Sequence, residues 1–341
     1  MDFETLPSVS FLIPTLNAAS VLEPCFKAIA DQDYPKDKIE IVVADGGSTD
    51  KTLILAKKYG AKIYPNPLKT GEAGKAVAFK KAKNELVALI DSDNYLSTKN
   101  WLRQMVAPFT DKEVIGSEPW AYTYRKKDGF IDRYCALMGM NDPLCYFLGN
   151  YDRQNVLTGR WTQLPLKQED KGSWLKINLK PPMIPTIGAN GTILLREPFL
   201  KSGLIGDYLF DIDILAQLAE KRPIKFAKVK IGIIHLYCGG NIKKFIRKQK
   251  RRVKDYLFYQ KSGIRHYPWQ SQNKLGLLKF ILACITILPL IGHTLKGYFK
   301  KPDSAWFFHP LVCWITFGVY GWEKLKSLNK IKEMSRENWK Q

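Results

Sequence analysis

Two aspartates stand two positions apart, directly after a run of five apolar residues. Asp91 and Asp93 follow the run 86–90, which is typical of a buried strand. Carboxylates at this spacing can share a divalent cation with the diphosphate that the cation bridges, and Mg²⁺ and Mn²⁺ both accept oxygen ligands. The same sequence also suits an ordinary turn after a strand. The motif therefore predicts a magnesium or manganese site, with a plain loop as the alternative.

Asp45 occupies a similar place after another strand-like run. It follows the β-branched segment 39–44 and precedes Gly46 and Gly47. A carboxylate there can accept hydrogen bonds from the imide of uracil or guanine, or from ribose hydroxyls. The glycines would let the backbone turn sharply and approach a ligand closely. A loop leading into a helix N-cap accounts for the same residues, so both interpretations stay open.

A third pair of carboxylates opens a predicted helix. Asp211 and Asp213 stand among the apolar residues Phe210, Ile212 and Ile214, which indicates a partly buried place. Burial raises the pKa of a carboxyl group and suits it to proton abstraction near neutral pH. The alternative is the acidic first turn that many helices have.

Two smaller features add candidates. The residues Gly188, Ala189, Asn190 and Gly191 form a small-residue loop that would admit a sugar or phosphate to the backbone, or simply make a tight turn. His235 follows the strand-like segment 231–234 and could be a third metal ligand. A lone histidine is also often structural.

The segment 243–254 is amphipathic and strongly basic. Beside apolar helices it indicates a lid on anionic lipid headgroups, and Gln249 and Arg252 could reach a diphosphate. Nucleic-acid binding competes for the same charge. We favour the lipid interpretation because the charge lies next to two long apolar stretches.

The elements that position these residues alternate along the chain. In the first 100 residues, strands of about five residues alternate with helices of about ten, which predicts βαβ units and a parallel sheet. Ligands of such sheets bind beyond the carboxyl ends of the strands, where Asp45 and Asp91 both fall. The segment 114–185 is irregular and is predicted to be an insertion that lines the site. Its polar candidates for acceptor binding are Asp142, Tyr151, Asp152, Arg153 and Arg160.

Two apolar stretches, at about 275–295 and 305–322, come close to the ~20 residues of a spanning helix. Lysine, histidine and proline interrupt them. We predict two membrane-embedded helices, with interfacial or re-entrant helices and buried packing as the alternatives. The N-terminus has no basic and apolar segment of a signal peptide, so we expect the catalytic part on the cytoplasmic face of the cell membrane.

Composition sets the bounds of these predictions. The chain has 341 residues, 45% of them hydrophobic, and a net charge of +21. It is therefore not disordered as a whole, and it favours a polyanionic partner. The six cysteines are scattered without a Cys-x-x-Cys pair, which supports neither a zinc site nor a disulfide framework.

In order and spacing, the motifs between residues 8 and 236 resemble those of the inverting nucleotide-sugar glycosyltransferases of family 2. The resemblance is carried by the segments 9–17, 45–50 and 71–76 and by Asp91-Ser92-Asp93. The loop 188–191 with Arg196 is similar to the family's acceptor-side loop. The segment 210–214 is similar to Glu-Asp-x-Asp-Leu with Phe210 in place of the acidic residue. The segment 249–253 looks like Gln-x-x-Arg-Trp, but Val253 replaces tryptophan, which argues against processive polymer synthesis.

The resemblance implies an α/β fold of the GT-A type, Rossmann-like, with a mostly parallel sheet flanked by helices. It implies a UDP- or GDP-sugar donor and Mg²⁺ or Mn²⁺ bound by Asp91, Asp93 and His235. Asp211 would be the catalytic base, with Asp213 as the alternative, and Lys75 would stabilise the leaving diphosphate. The acceptor would bind at Gly188, Ala189, Asn190 and Gly191. The implied donor residues are Pro14, Thr15, Asn17, Asp45, Gly46, Lys75, Asp91, Ser92, Asp93, Gln249 and Arg252.

The predicted organisation has four parts: a catalytic domain at 1–238, a basic interfacial segment at 239–272, a membrane hairpin at 273–325 and a basic tail at 326–341. The predicted function is sugar transfer to a lipid-linked acceptor at an anionic membrane, without nucleic acid. One rival is transfer to a soluble or polysaccharide acceptor. The other is a basic membrane or nucleic-acid binding protein without turnover.

Overall fold

The computed structural model describes residues 6–267, 273–328 and 332–336, which fall into two compact units. Unit 1 combines 1–120, 166–234 and 336–341, and unit 2 combines 121–165 and 235–335. The predicted parts divide the chain differently, because the middle segment 121–165 belongs with the C-terminal part. Half of the predicted basic tail at 326–341 lies outside the described residues.

The strands form a ten-stranded mixed sheet in the order β3-β2-β1-β4-β9-β6-β10-β8-β7, with β5 paired to β10. They are, in chain order, β1 (Val9–Thr15), β2 (Ile39–Asp45), β3 (Lys62–Pro65), β4 (Leu86–Ile90), β5 (Asn94–Leu96), β6 (Val114–Tyr122), β7 (Gln168–Asp170), β8 (Trp174–Leu179), β9 (Asn190–Leu195) and β10 (Ile224–His235).

The helices of the described residues accompany this sheet and form most of unit 2. They are α1 (Ala19–Ala30), α2 (Thr52–Lys58), α3 (Gly71–Lys81), α4 (Trp101–Val106), α5 (Phe130–Met138), α6 (Leu144–Leu148), α7 (Arg196–Lys201), α8 (Asp211–Lys221), α9 (Ile242–Lys261), α10 (Lys274–Thr286), α11 (Leu288–Lys300) and α12 (His309–Lys326).

The predicted mostly parallel sheet is wrong for its second half. Strands β1 to β4 pair in parallel. Strands β1, β2 and β4 are almost wholly buried, as parallel strands covered by helices on both faces are, whereas the edge strand β3 is partly exposed. Strand β9 then pairs with β4 antiparallel, with Asn190 opposite Ile90. Because the two strands run in opposite directions, β9 begins at the edge where β4 ends. The Gly188–Gly191 loop therefore starts beside the Asp91–Asp93 loop.

Unit 2 has its own apolar core. Helix α5 contributes Ile131 and Tyr134, and the C-terminal helices contribute Leu290, Trp306 and Cys313. Helix α9 coincides with the predicted amphipathic helix and buries Phe245, Val253 and Leu257 on one face. The segment 114–185, predicted to be irregular, contains the regular elements β6, α5, α6, β7 and β8.

The first apolar stretch is not one helix. Helices α10 and α11 meet at Ile287, whose φ is 59°, and their axes are bent by 94°. Pro289 falls in the first turn of α11, where its missing N–H costs no hydrogen bond. Within the described ranges, none of the helices alone has the length and hydropathy to cross a bilayer, whereas α10 and α11 taken together do. The predicted embedding of the two stretches stays a prediction.

The core of unit 2 contains a buried histidine that should make stability depend on pH. His309 is hydrogen-bonded to the Tyr134 hydroxyl at 2.7 Å and to His293 at 3.3 Å, and the Cys313 sulfur also lies against it. Burial, with His293 nearby, lowers the pKa of His309 from 6.5 to about 3. Burial and Lys296 also lower the pKa of His293. The folded protein therefore binds fewer protons than the unfolded chain in acid.

We expect the free energy of unfolding to fall as the pH drops below 6.5, by about 1.4 kcal/mol per pH unit for His309 alone. Urea denaturation at pH 7.5, 6.0 and 5.0 measures this slope. The variant His309→Phe should unfold with a shallower pH dependence than the wild type. An equal slope in the two proteins would contradict the assignment.

Candidate functional site

The loops after β1 and β2 in unit 1 are tied together by the Asp45 carboxylate. Its Oδ1 accepts hydrogen bonds from the hydroxyls of Thr15 (2.8 Å) and Ser48 (2.6 Å). Its Oδ2 accepts from the backbone N–H groups of Gly47 (2.9 Å) and Ser48 (2.7 Å). Asp45 thus shapes the loop as the turn interpretation expected. Its predicted contact with a base or ribose stays a prediction.

Asn17 provides a second link between the same loops. It adopts a left-handed backbone conformation (φ 50°), which asparagine tolerates better than most residues. Its Oδ1 accepts a hydrogen bond from the Thr49 N–H (2.9 Å), and its own N–H donates to the Ser48 hydroxyl (2.8 Å). The predicted donor residues Thr15, Asn17, Asp45 and Gly46 therefore lie together at one edge of the parallel strands.

Helix α3 approaches this edge closely because it has a glycine at the contact. A Cβ atom on Gly74 would lie 2.7 Å from the Cβ of Pro14, which is too short for any real contact. The helix begins at the Thr70 cap, whose hydroxyl accepts from the Ala73 N–H at 3.2 Å. The next residue along the helix after the contact is Lys75, which is thereby held at the end of β1.

Lys75 and Asp211 form a buried ion pair of unit 1. The Lys75 Nζ lies 2.5 Å from Asp211 Oδ2, and the two side chains are 6% and 12% exposed. Sequence reasoning placed Lys75 on the leaving group and missed this pair, since no periodicity links residues 136 positions apart. Burial raises the pKa of Asp211 although Lys75 opposes the shift. Asp211 Oδ1 has no hydrogen-bond partner in the part of the chain that the structure describes.

Further carboxylates surround the same ammonium group. Burial and the negative charges of Asp93 and Asp211 raise the pKa of Asp91 to about 7, against the effect of Lys75. Glu72, in the first turn of α3, acts on Asp91 and on Lys75 in the same way. Its role was not predicted. The carboxylates of Asp211, Glu72 and Asp91 thus all act electrostatically on the Lys75 ammonium.

The small-residue loop 188–191 lies beside these carboxylates, because β9 begins at the sheet edge where β4 ends. A Cβ atom on Gly188 would be 3.9 Å from Asp211 Oδ2. The Asp91 N–H donates to the Ala189 carbonyl at 3.3 Å. Gly191 has φ 91°, and a Cβ there would lie 2.7 Å from Ile233. The predicted acceptor loop, the Asp91–Asp93 motif and Asp211 are therefore neighbours in unit 1.

The oxygen donors of this site suit a divalent cation. Asp91 and Asp93 follow the same buried strand, and the Asn94 amide donates to Asp93 Oδ1 at 3.0 Å. Burial and neighbouring carboxylates raise the pKa of Asp91. A bound cation would stabilise the charged form of Asp91 and so oppose this shift. Mg²⁺ and Mn²⁺ sites of this kind take a few carboxylates and complete their shell with phosphate oxygens and water.

The role of His235 as a third metal ligand stays a prediction. Among the described residues there is no group of three or more histidine, cysteine or acidic side chains that could hold a metal ion. The His235 ring packs between the rings of Tyr122 (5.1 Å) and Tyr237 (5.5 Å) in unit 2. Its Nδ1 lies 3.5 Å from the Asn141 amide.

Gln249 belongs to an internal network of unit 2. Its side chain is wholly buried, its amide donates to the Asn141 carbonyl (2.7 Å), and its Oε1 accepts from Arg252 (2.7 Å). These contacts give Gln249 a structural role, and its contact with a diphosphate stays a prediction. Arg252 is partly exposed and lies 3.7 Å from Asp142. Its donor contact stays a prediction.

The polar residues predicted for the acceptor have partners within unit 2. Asp142 accepts a hydrogen bond from the Tyr320 hydroxyl at 2.5 Å. Arg153 is fully buried, is paired with Asp152 and lies over the Tyr122 ring. The Tyr151 hydroxyl bonds Thr158, and the Arg160 backbone pairs with Asn155. These contacts give each of them a structural role, and acceptor binding by them stays a prediction.

Part of the chain is similar to known glycosyltransferases. The model of glycosyl transferase family 2 matches residues 10–161. Poly(ribitol-phosphate) beta-N-acetylglucosaminyltransferase TarS of Staphylococcus aureus is 36% identical over 94 residues, which are 26% of this chain and 16% of TarS. A dolichyl N-acetyl-alpha-D-glucosaminyl phosphate 3-beta-D-2,3-diacetamido-2,3-dideoxy-beta-D-glucuronosyltransferase of Methanococcus voltae is 43% identical over 65 residues, which are 17% of this chain and 20% of the relative.

A solved structure shares the fold over most of the chain. The mannosyltransferase PcManGT from Pyrobaculum calidifontis, crystallised with GDP-Man and Mn²⁺, aligns with a TM-score of 0.51 at 15% identity. The alignment covers 95% of this chain and 91% of PcManGT. The chain thus has an α/β fold of the GT-A type, with a mixed sheet and flanking helices. Over residues 10–161, which are less than half of its length, the chain is similar to glycosyl transferase family 2.

Proposed function

We propose that the chain transfers a sugar from a UDP- or GDP-linked donor to an acceptor hydroxyl, with inversion at the anomeric carbon. The observation that carries this proposal is the buried Lys75–Asp211 pair beside the Asp91–Asp93 motif. This site combines the Asp211 carboxylate, whose pKa is raised, the Lys75 ammonium group and the further oxygen donors of Asp91 and Asp93 at one sheet edge. This is the set of groups that transfer from a diphosphate leaving group requires. The match of residues 10–161 to the family 2 model and the donor GDP-Man of PcManGT support it.

Asp211 is the group that receives the proton. Its Oδ2 is held by Lys75, while Oδ1 is left without a hydrogen bond by the described residues. An acceptor hydroxyl that donates to Oδ1 gives up its proton there as its oxygen attacks the anomeric carbon. The bond between that carbon and the diphosphate oxygen breaks on the opposite face. The raised pKa of Asp211 favours this proton transfer near neutral pH.

Asp91 and Asp93 would hold the divalent cation, which when bound neutralises charge on the donor diphosphate. Lys75 lies within electrostatic reach of Asp91 and would share in neutralising the diphosphate. The loop 188–191 has little side-chain bulk beside Asp211, so it leaves room for the acceptor sugar or hydroxyl. Thr15, Asn17, Asp45 and Gly46 would hold the nucleoside at the neighbouring end of β1 and β2.

We further propose that the acceptor is lipid-linked and that transfer takes place on the cytoplasmic face of the cell membrane. The dolichyl-phosphate acceptor in the name of the Methanococcus voltae relative supports a lipid carrier. The net charge of +21 supports an anionic membrane rather than nucleic acid as the partner. A polymer acceptor is the second candidate, because TarS is named for poly(ribitol phosphate).

A donor screen tests this proposal. The purified chain is incubated with UDP-glucose, UDP-N-acetylglucosamine or GDP-mannose and Mn²⁺, and release of UDP and GDP is measured with and without membrane lipid extract. We expect release from donors of one nucleotide, at least tenfold faster with the extract, and a sugar product that partitions into organic solvent. Stimulation by polysaccharide instead would favour the second candidate. No release from any donor by folded protein would contradict both.

A further inference from the structure

Helices α10, α11 and α12 expose large apolar side chains to an unusual extent. Ile285, Leu288 and Phe299 are 67%, 73% and 79% exposed. Soluble surfaces seldom carry many such residues close together. The three helices contact one another within unit 2, and we call their exposed large apolar residues the apolar face. Its members are Leu275, Leu277, Leu278, Leu282, Ile285, Leu288, Ile291, Leu295, Tyr298, Phe299, Leu311, Trp314, Phe317, Trp322 and Leu325.

The opposite side of the same helices is firmly packed. Phe280, Ala283, Cys284 and Leu290 are buried in the core of unit 2. The Trp314 indole N–H donates to the Cys284 carbonyl at 2.8 Å, which fixes α12 against α10. These helices therefore have one protein-packed side and one apolar outer side. Helices with one apolar outer side lie in the plane of the membrane–water interface, whereas a helix surrounded by lipid is apolar on all sides.

Positive charge borders this face. Between residues 274 and 302 the chain contains five lysines and no aspartate or glutamate. Lys279 and Lys296 are exposed on α10 and α11. A second copy of the chain packed symmetrically on this face would bring lysines against lysines. Anionic phospholipid headgroups meet the same lysines with opposite charge, and the acyl region beneath them receives the apolar side chains.

We propose that this apolar face docks on the surface of an anionic phospholipid bilayer, with the bend between α10 and α11 entering one leaflet. The bend at Ile287 brings the ends of two helices together, and the adjoining residues Ile285 and Leu288 are among the most exposed of the face. This deepens the proposed transfer to a lipid-linked acceptor by naming the surface that meets the membrane. It does not depend on turnover.

Vesicle flotation with the full chain and no donor tests the docking. Vesicles are pure phosphatidylcholine or contain 30% phosphatidylglycerol. We expect binding to the anionic vesicles at least tenfold tighter than to the neutral ones. The double variant Ile285→Gln/Leu288→Gln should bind the anionic vesicles at least tenfold more weakly. The matched control is Ile54→Gln/Leu68→Gln on unit 1, where Ile54 is also 67% exposed; it should bind as the wild type does.

The charge contribution is tested by Lys279→Gln/Lys296→Gln, which should lose most of the preference for anionic vesicles. Circular dichroism and light scattering accompany each variant, and the variants change exposed side chains only. Equal flotation of the wild type and the Ile285→Gln/Leu288→Gln variant would overturn the proposal. So would a stable wild-type dimer that fails to float and that the same variant converts to monomers. Nucleotide release measured without vesicles reports separately on the proposed function.

Discussion

Replacement of Asp211 by asparagine should lower kcat for sugar transfer about 10³-fold, within the range that a positioned general base contributes. Asparagine keeps the shape of the side chain but cannot accept the acceptor's proton. The KM for the nucleotide sugar should change little, because Asp211 bonds Lys75 and lies beside Gly188, whereas the nucleoside is proposed to bind at Thr15 and Asp45. Initial rates at saturating donor and varied acceptor measure both quantities.

Asp213 gives the matched control on the same helix. Its side chain is also buried, so Asp213→Asn introduces the same chemical change two residues away. We expect it to leave kcat within about fivefold, provided that thermal unfolding shows both variants folded. A large loss in Asp213→Asn with an active Asp211→Asn would make Asp213 the base. High activity in both variants would indicate an acceptor that is already anionic, such as a lipid phosphate, which needs no base.

Replacement of Asp93 by asparagine should lower turnover at least as strongly, by about 10³-fold, because the charge on the leaving diphosphate then loses several kcal/mol of stabilisation. Asp91→Asn should act in the same direction, since the two carboxylates serve the same cation. The assay is nucleotide release over a Mn²⁺ titration, where both variants should require far more metal than the wild type.

Asp170→Asn is the control for this pair. Asp170, at the end of β7, forms an exposed ion pair with Lys230. Such pairs contribute little to stability. Its turnover and metal requirement should match those of the wild type. Full activity of Asp93→Asn, or of the wild type in excess chelator, would contradict the proposed metal dependence of turnover.

The site residues that follow strands were predictable, because local sequence determines where a strand ends. The apolar run of β4 and the β-branched run of β2 placed Asp91 and Asp45 at the carboxyl edge of a parallel sheet. Helix α8 begins at Asp211 as predicted. The amphipathic segment 243–254 likewise lies within α9, which runs from Ile242 to Lys261.

The remaining features depend on contacts between distant parts of the chain. The Lys75–Asp211 pair joins α3 to α8, and no local pattern indicates which lysine will reach which aspartate. Tertiary packing also places the Tyr122 ring against His235 and the Asn141 carbonyl against Gln249, and no local pattern indicates these contacts. The bend at Ile287 was hidden because apolar composition continues through it and only Pro289 marks the new helix.

Coupled binding of Mn²⁺ and a nucleotide diphosphate tests the central claim without turnover. Electron paramagnetic resonance reports free Mn²⁺ during a titration of the protein with and without UDP or GDP. For the wild type, the account predicts that one of these nucleotides tightens Mn²⁺ binding at least tenfold, and that Asp91→Asn/Asp93→Asn abolishes the effect while Asp170→Asn retains it. Undiminished coupling in the double variant, or none in the wild type, would contradict a cation and a diphosphate sharing this edge of the sheet.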